Sequence, residues 1–323
     1  MVTFPKVSIL IPVYNRDNLI METLESAVNQ TYKNIEVIVV DNKSTDNTFE
    51  IVKEFAKLHP NVKVYQNEEN IGPVRNWRRC LDYATGEYVK ILWSDDLIAP
   101  DFIEKTLPYL MDHEDVGFVF TGVEVFFHRT GRKEKIHFFG NTNIYDTKKY
   151  IENSLLGGPV PGSPGSALFR RKDLEENLLL DIPNKFSIDF KMHAIGNDVL
   201  IYLLTANKYP KFAFINEKLS FFRAWEGSIT LSTNGSFLSM LHLIARAYFV
   251  ENYLKDNALR KKFNSRIMFF LLRGHGRKSG LGIKTVRDFY FDRNKADIDY
   301  IFISKLIADK LFKTFLRKIP GKN

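Results

Sequence analysis

The first 96 residues alternate strand-like apolar runs with segments of helical periodicity, and this alternation is what most constrains the fold. The apolar runs cover residues 6–14, 35–42, 62–68 and 87–96. Consecutive parallel strands need crossover connections of the kind that these helical segments supply. The pattern therefore predicts an α/β fold built on a doubly wound, mostly parallel sheet.

Polar residues mark where the helices between these runs begin. Residues 15–17 have the composition of a helix start. Asp46 is a candidate N-cap for an amphipathic helix that extends to about residue 59, and residues 74–84 form the third helical segment.

Three of the predicted strands end in polar residues. Tyr14 and Asn15 end the first strand, Asp41 ends the second, and Asp95 and Asp96 end the fourth. Ligands of doubly wound sheets bind at the carboxyl ends of the strands, so these side chains predict a nucleotide site. Helix capping is the alternative, but it does not readily explain all three strand ends.

Beyond residue 96 the pattern is less regular. The remaining predicted elements are a strand at 116–128, a glycine- and proline-rich loop leading into a strand at 157–171, a helix at 195–209, and one or two strands at 212–230. The rest of the chain is predominantly helical and basic. We therefore predict two domains, at residues 1–236 and 237–323.

The composition is that of a folded protein, because 45% of the residues are apolar and 26% are charged. Cys80 is the only cysteine, which excludes an internal disulfide and fits a reducing compartment. No apolar stretch is long enough to span a bilayer, so a cytoplasmic protein is expected.

The net charge of +8 is concentrated near the C-terminus. From Phe237 onward there are roughly 19 lysines and arginines against about 7 acidic residues. Such a segment suits an anionic partner, and residues 308–319 form a basic amphipathic helix. We expect this segment to contact the inner face of a membrane peripherally, and we expect no binding of nucleic acid. The alternative is that the basic residues form a helical face exposed to solvent.

Five segments, in chain order, resemble family 2 glycosyltransferases of the GT-A fold. They read VSILIPVYNR, VIVVDNKSTDNT, NIGPVRNW, ILWSDD and FFRAWEGSIT. The resemblance covers about residues 4–232, and the ordered set is specific although each segment alone is not. It implies that this part of the chain is a GT-A domain that transfers a sugar from a nucleoside diphosphate donor. The basic segment after residue 236 would then be a helical C-terminal extension.

The resemblance also implies which residues surround the nucleotide. They are Pro12, Val13, Tyr14, Asn15, Asp41, Asn70, Gly72, Asn76 and Asp95. Asp41 would accept a hydrogen bond from the uracil or the ribose, and Asn42 stands where many relatives have a second acid. Tyr14 could instead be an ordinary aromatic residue at a strand end.

Asp95 and Asp96 are the candidate metal ligands. Adjacent carboxylates repel each other unless a cation or hydrogen bonds offset their charge, and Mn²⁺ or Mg²⁺ prefers carboxylate and phosphate oxygens. A loop pair facing water is the alternative. Many relatives have an Asp-x-Asp sequence here; Trp93 replaces its first acid and could pack against the donor sugar or the nucleoside.

A second departure from the family is Trp225, which stands where relatives have a histidine associated with the metal or the diphosphate. Arg223 and Ser228 remain candidates for phosphate or loop contacts. By similarity, Gly165 and Ser166 lie in the acceptor cleft, where glycine allows a sugar to approach closely.

Asp198 is the candidate catalytic base. Relatives have Glu-Asp at the start of a helix, and this chain has Asn197-Asp198. A carboxylate is needed near the acceptor hydroxyl to take its proton. Asp198 could instead be the N-cap of a helix that begins at Val199, and Asp189 is the second candidate for the base.

The resemblance implies an inverting, metal-dependent hexosyl- or N-acetylhexosaminyltransferase. Its donor would be a UDP-sugar, and its acceptor a surface polysaccharide or a lipid-linked glycan. The competing hypothesis is a non-catalytic sugar-nucleotide-binding or scaffold protein of the same fold, because one acid and the histidine are replaced. A nucleotidyltransferase is disfavoured, since no glycine-rich basic loop follows the first strand.

Overall fold

The structure, a computed structural model, describes residues 4–127, 129–228 and 233–316, with side chains up to residue 312. The chain divides into two compact units. One comprises Met1–Ile182 and Asp189–Ser228, and the other comprises Pro183–Ile188 and Ile229–Asn323. The domain boundary predicted after residue 236 stays a prediction.

The first unit is built on a sheet of ten strands, counted over the described residues. They are β1 (Val7–Val13), β2 (Ile35–Asp41), β3 (Val62–Gln66), β4 (Tyr88–Ile91), β5 (Leu97–Ile98), β6 (Val116–Phe127), β7 (Lys133–Ile136), β8 (Asn143–Asp146), β9 (Ala167–Arg170) and β10 (Lys211–Ala224). The helices are α1 (Ile20–Val28), α2 (Thr48–Leu58), α3 (Pro73–Tyr83), α4 (Phe102–Met111), α5 (Thr147–Leu156), α6 (Arg171–Asn177) and α7 (Asn197–Lys208).

The strand order is β3-β2-β1-β4-β9-β6-β10-β5, with β7 paired to β6 and β8 paired to β10. Strands β3, β2, β1, β4, β6 and β10 run in one direction, whereas β9, β5, β7 and β8 run antiparallel to their neighbours. The predicted α/β fold with a mostly parallel sheet is therefore confirmed.

One core cluster joins the first two strands to α1, α2 and α4. It includes Ile9 in β1, Val37 in β2, Leu24 in α1, Phe55 in α2 and Phe102 in α4. Burying a side chain of this size stabilises the fold by about 1.5–3 kcal/mol. The core thus holds β1 and β2 rigidly at the edge where the predicted site lies.

An aromatic cluster anchors α7, the helix that carries Asp198. The ring of Phe118 in β6 lies 5.0 Å from Tyr150, 5.1 Å from Tyr202 and 5.5 Å from Phe212, measured between centroids. All four rings are fully buried. Edge-to-face and offset contacts between aromatic rings stabilise the fold beyond the effect of burying the rings, so they hold α7 against the sheet.

The regular helix α1 begins at Ile20, later than the helix start predicted at residues 15–17, although Ile20 N already donates to Arg16 O at 2.9 Å. Asn15 has a φ of 51°, in the left-handed region, and its Oδ1 accepts a hydrogen bond of 2.8 Å from Thr45 N. The chain after β1 is therefore tied to the loop after β2. The N-cap of α2 is Asn47, one residue after the predicted Asp46, but Asp46 Oδ1 does accept a hydrogen bond of 3.0 Å from Thr48 N, where α2 begins.

The strand predicted within residues 212–230 is a single strand, β10, and the short strands β5, β7 and β8 were not predicted. Residues 229 and 230 lie outside the described residues. So does residue 128, the end of the strand predicted at 116–128; the described strand, β6, ends at Phe127.

The second unit is helical, as predicted. Its helices are α8 (Gly235–Asn252), α9 (Asn257–Leu272), α10 (His275–Lys278) and α11 (Tyr300–Leu316). Asn264 on α9 holds the connection to α11, because its Nδ2 donates to Lys295 O at 2.8 Å and to Asp297 O at 2.7 Å. Within the described part of the chain, no helix is long and apolar enough to cross a membrane.

Candidate active site

The carboxyl ends of β1, β2 and β4 lie side by side, because β1 pairs in parallel with both neighbours. Val13 pairs with Asp41 of β2, and Leu10 pairs with Ile91 of β4. Pro12 and Val13 are buried within β1. The polar residues that follow the three strands therefore share one edge of the sheet, as the sequence indicated.

Asp41 is fully buried and oriented by protein donors. Its Oδ2 accepts hydrogen bonds from Ser44 N at 3.0 Å and Gln66 Nε2 at 2.9 Å, and the Ser44 hydroxyl donates to its other oxygen. Asn15 N donates to Ser44 Oγ at 2.9 Å. Tyr14 beside it is exposed. The contact of Asp41 with a nucleoside stays a prediction.

Four asparagines form a hydrogen-bonded network next to Asp41. Asn67 Nδ2 donates to Asn42 Oδ1 and to Asn76 Oδ1, both at 2.9 Å, and Asn42 Nδ2 donates to Asn70 Oδ1 at 2.8 Å. Asn76 Nδ2 donates to the backbone of β2. Because Asn42 both donates and accepts within this network, an amide suits its position better than the acid of many relatives.

Gly72 lies at the start of α3 with a φ of 83°. A Cβ atom at this position would lie 2.5 Å from Met192 Sδ and 3.2 Å from Lys191 O. The turn Phe190–Met192 thus packs directly on the glycine, and only a glycine fits without a shift of Met192 or of the backbone.

The acid pair after β4 is engaged by donors from distant parts of the sequence. Asp95 Oδ2 accepts a hydrogen bond of 2.9 Å from Trp225 Nε1 and lies 3.6 Å from Arg16 Nε. Asp96 Oδ1 accepts from Arg223 N at 2.9 Å. The two carboxylates are therefore held by the chain's own donors, which offsets their mutual repulsion.

Asp96 is buried, whereas Asp95 is partly exposed. Burial, and secondly the charge of Asp95, raise the pKa of Asp96 well above its ordinary value. The hydrogen bond from Arg223 N and the charge of Lys90 lower this pKa but do not outweigh burial. Lys90 is fully buried in β4, and its ammonium donates to Gly165 O. Burial lowers the pKa of Lys90 to about 7, against the charge of Asp96.

Trp93, two residues after β4, joins this strand to the glycine-rich loop. Its Nε1 donates to Ser163 Oγ at 2.8 Å, and its ring lies 4.7 Å from the ring of Trp77. A Cβ atom at Gly165 would lie 2.8 Å from Trp93 Nε1. Ser166 is buried in the same turn. The indole is partly exposed at this edge of the sheet.

The guanidinium of Arg223 is committed to protein acceptors. Its Nη2 donates to Glu22 Oε2 at 2.7 Å, and its Nε donates to Asp95 O at 3.1 Å. Ser228 N donates to Trp225 O at 3.0 Å and closes a turn after β10. Direct phosphate contacts by Arg223 and Ser228 stay predictions.

Asp198 is the second residue of α7 and is buried. The helix begins at Asn197 and follows Gly196, so Asp198 is not its N-cap. Asp198 Oδ1 accepts hydrogen bonds from Gly196 N at 2.8 Å and Val199 N at 2.7 Å, which fixes the carboxylate. Asp189, the second candidate for the base, accepts a hydrogen bond at the start of a short 3-10 turn.

The donor set of the acid pair fits a divalent cation that also takes phosphate oxygens. Asp95 and Asp96 each direct one oxygen to a protein donor, which leaves a second oxygen on each. Among the residues that the structure describes, no group of three histidine, cysteine or acidic side chains could hold a metal by itself. Mg²⁺ sites commonly use one or two carboxylates, with water and substrate phosphates as the other ligands.

Two cations at this edge were not identified from the sequence. Lys90 interrupts an apolar strand, and a lysine at such a position is a sequence signal for a buried cation. Arg16 directly follows the polar end of β1, but its contact with Asp95 depends on the pairing of β1 with β4 and could not be foreseen.

Comparisons with known proteins agree with this architecture. The profile of the family described as glycosyl transferase family 2 matches residues 8–178. The minor teichoic acid biosynthesis protein GgaB of Bacillus subtilis is 29% identical over 232 residues, covering 70% of this chain and 24% of GgaB. The glycosyltransferase GlyA of Streptococcus pneumoniae is 29% identical over 236 residues, covering 70% of this chain and 31% of GlyA. The chain spans half or less of the length of the first curated relatives that it matches.

Solved structures share the fold. The S. aureus protein TarS, residues 1–349 in complex with UDP-GlcNAc, matches with a TM-score of 0.64 and 21% identity, covering 84% of this chain and 74% of that one. The mannosyltransferase PcManGT of Pyrobaculum calidifontis, in complex with GDP-Man and Mn²⁺, matches with a TM-score of 0.56 and 19% identity, covering 96% and 81%.

Proposed function

The chain belongs to glycosyl transferase family 2, and on this premise we propose that it transfers a sugar from a UDP-sugar to a hydroxyl group of a glycan. The observation that carries this proposal is the shared edge of β1, β2 and β4, where Asp41 ends β2 and where Asp95 and Asp96 lie in the turn after β4, which ends at Ile91 and not at Asp96 as predicted. The UDP and UDP-GlcNAc complexes of TarS support a uridine donor.

In this proposal the donor lies along that edge. The nucleoside rests on Pro12, Val13 and Tyr14, and Asp41 accepts a hydrogen bond from the uracil or the ribose. The rest of the nucleotide-binding surface is formed by Asn15, Asn70, Gly72 and Asn76. Hydrogen bonds from Ser44 and Gln66 hold the Asp41 carboxylate in a fixed orientation at this edge.

Asp95 and Asp96 would hold a divalent cation, Mn²⁺ or Mg²⁺, which when bound neutralises the diphosphate leaving group. Trp225 orients Asp95, and the backbone of Arg223 orients Asp96. Such outer contacts keep ligating carboxylates in place. The Mn²⁺ complex of PcManGT supports the presence of a metal.

Asp198 would act as the general base in a single displacement. The acceptor oxygen attacks the anomeric carbon, the bond from that carbon to the β-phosphate oxygen breaks, and Asp198 takes the acceptor proton. The nucleoside diphosphate leaves, and the anomeric configuration inverts. The turn around Gly165 and Ser166, held by Trp93 and Lys90, would line the acceptor side.

We propose a hexose or N-acetylhexosamine as the transferred sugar, and a surface polysaccharide or a lipid-linked glycan as the acceptor. The relationship to the teichoic acid protein GgaB supports this acceptor class. A screen of UDP- and GDP-sugars for nucleotide release, with Mn²⁺ or Mg²⁺, tests the donor. Release from a GDP-sugar alone would contradict the uridine assignment.

A non-catalytic sugar-nucleotide-binding protein is the second candidate, and the replacements at Trp93 and Trp225 favour it. It predicts that UDP-sugars bind without turnover. It also predicts that the Asp198→Asn variant behaves like the parent protein. Turnover that Asp198→Asn abolishes would exclude this candidate.

For the second unit we propose peripheral contact with an anionic membrane through one face of α11. Tyr300, Ile301, Leu311 and Phe312 on this helix are each exposed to 63% or more. Six lysines and arginines against one acid follow from residue 300 to the C-terminus. An exposed apolar face next to positive charge suits a bilayer surface that contains anionic lipid.

Flotation with vesicles of phosphatidylglycerol or of phosphatidylcholine tests this contact. We expect the parent protein to float with the anionic vesicles, and an Ile301→Gln, Phe312→Gln double variant to float several-fold less. Leu58→Gln is the matched control, because Leu58 on α2 is also an exposed apolar residue. Equal flotation of the double variant and the control would exclude the proposed contact.

A further inference from the structure

Arg16 is an arginine held at the end of β1 by the chain's own backbone. Its Nη1 donates to Asn15 O at 2.9 Å and to Tyr14 O at 3.1 Å. Its backbone N donates to Thr48 Oγ1 at 2.7 Å. The guanidinium is therefore fixed in position, and it does not have to be ordered when a ligand binds.

The same guanidinium faces the acid pair. Arg16 Nε lies 3.6 Å from Asp95 Oδ2, and Arg16 Cζ lies 4.9 Å from the centroid of the Trp225 ring. The side chain is 17% exposed. Nε is buried and makes no hydrogen bond to any described residue. Arg16 thus contacts both the Trp225 ring and the Asp95 carboxylate, while part of its side chain stays exposed.

The other two cations near the acid pair are committed elsewhere. Arg223 donates through Nη2 to Glu22 and through Nε to Asp95 O. Lys90 is fully buried and donates to Gly165 O. Of the three described cations that neighbour the acid pair, Arg16 is the one an incoming anion can reach, because 17% of its side chain is exposed, against 3% for Arg223 and none for Lys90.

We propose that Arg16 binds the diphosphate of the nucleotide donor. The proposal rests on the proposed function, because it assigns a residue to the leaving group of that reaction. An anion that docks beside Asp95 meets the Arg16 guanidinium, a weakly hydrated fork that matches the oxygens of a phosphate. Trp225, which stands where relatives have histidine, serves this role indirectly by stacking on Arg16 and keeping it in place.

Binding of UDP and of uridine to the full chain in the presence of Mg²⁺ tests the proposal. Calorimetry gives the affinity for UDP, and displacement of UDP gives the affinity for uridine. We expect Arg16→Gln to weaken UDP binding by roughly 10- to 100-fold, the loss expected for hydrogen bonds to a charged group, and uridine binding by less than about 3-fold. The UDP affinity of Arg16→Lys, which retains the charge, should lie between those of the parent and of Arg16→Gln.

Arg79→Gln is the matched control, since Arg79 is a partly exposed arginine on α3 whose ion pair with Asp82 is also exposed. It should bind both ligands like the parent. Equal losses for UDP and uridine in Arg16→Gln would overturn the proposal, because Arg16 would then only support the end of β1. Unchanged UDP affinity would also overturn it. If the parent binds neither ligand, the proposed function fails, and this assignment fails with it.

Discussion

The indole Nε1 of Trp225 donates a hydrogen bond of 2.9 Å to Oδ2 of Asp95. This contact joins the turn after β10 to the turn after β4. The same ring stacks on Arg16. One side chain therefore orients both an acid and a cation at the site.

Removing the indole donor should weaken metal binding. Trp225→Phe keeps an aromatic ring beside Arg16 but loses the hydrogen bond that orients Asp95. We expect the affinity for Mn²⁺ in the presence of UDP to fall about 10-fold, the lower end of the effect of losing an outer contact of a metal ligand. Electron paramagnetic resonance of free Mn²⁺ measures it. Trp93→Phe, which loses an indole donor to Ser163, is the control, and equal losses in both variants would contradict the prediction.

Replacing the proposed base should abolish turnover without loss of donor binding. In Asp198→Asn the side-chain oxygen can still accept from Gly196 N and Val199 N, so the local fold should persist. We expect kcat to fall by at least about 100-fold and UDP affinity to change by less than about 2-fold. Asp189→Asn should lose less than about 3-fold in kcat. The reverse order of the two variants would assign the base to Asp189.

Glu36 in β2 should make stability depend on pH in acid. It is buried, and it accepts from Ser8 Oγ at 2.7 Å and Thr85 N at 2.6 Å and pairs with Lys63 Nζ at 2.8 Å. Burial alone raises the pKa of Glu36, but the hydrogen bonds from Lys63, Ser8 and Thr85 outweigh it and lower the pKa to about 2. Its stabilising contribution is therefore present above the unfolded value near pH 4.3 and is lost as the pH falls towards 2.

Glu36→Gln should accordingly be less stable than the parent at pH 7, by on the order of 3 kcal/mol. The difference should shrink between pH 4.5 and pH 2.5. Urea unfolding at several pH values measures it. Glu54→Gln, at an exposed glutamate that pairs with Lys57, should have little effect at any pH. A difference between Glu36→Gln and the parent that stays constant with pH would contradict the assignment.

Adding a methyl group at Gly165 should disturb the packing under Trp93. The new Cβ would lie 2.8 Å from Trp93 Nε1 and 3.3 Å from Phe222 Cε1. We expect Gly165→Ala to destabilise the fold by about 1–3 kcal/mol in urea unfolding, because the indole must shift. Gly235→Ala is the control, since nothing lies within 4 Å of a Cβ at that position. Equal stability of the two variants would show that Trp93 can shift to accommodate the methyl group without a cost in stability.

The strands that form the site could be predicted, because they are buried on both faces and appear as continuous apolar runs. β1 and β2 begin and end within one residue of the predicted bounds. β1 pairs in parallel with both β2 and β4. The positions of Asp41 and Asp95 in the sequence therefore sufficed to predict that both lie at the same edge of the sheet. The exposed strands β7 and β8 lack such runs and were missed.

The partners of the acid pair could not be predicted. Arg223 and Trp225 reach Asp96 and Asp95 from the end of β10, which pairs with β5, whereas Arg16 reaches Asp95 because β1 pairs with β4. The regular part of α1 begins later than predicted for a related reason. Asn15 satisfies its side chain across the fold, with Thr45, and not as a local helix cap.

Release of nucleoside diphosphate from UDP-sugars tests the central claim most directly. The parent protein and the Asp198→Asn variant are incubated with each UDP-sugar, Mn²⁺ or Mg²⁺, and a polysaccharide or lipid-linked acceptor fraction. We expect acceptor-dependent release of UDP by the parent from at least one donor, and at least about 100-fold slower release by Asp198→Asn. Binding of UDP-sugars with no release by either protein would contradict sugar transfer and establish the non-catalytic alternative.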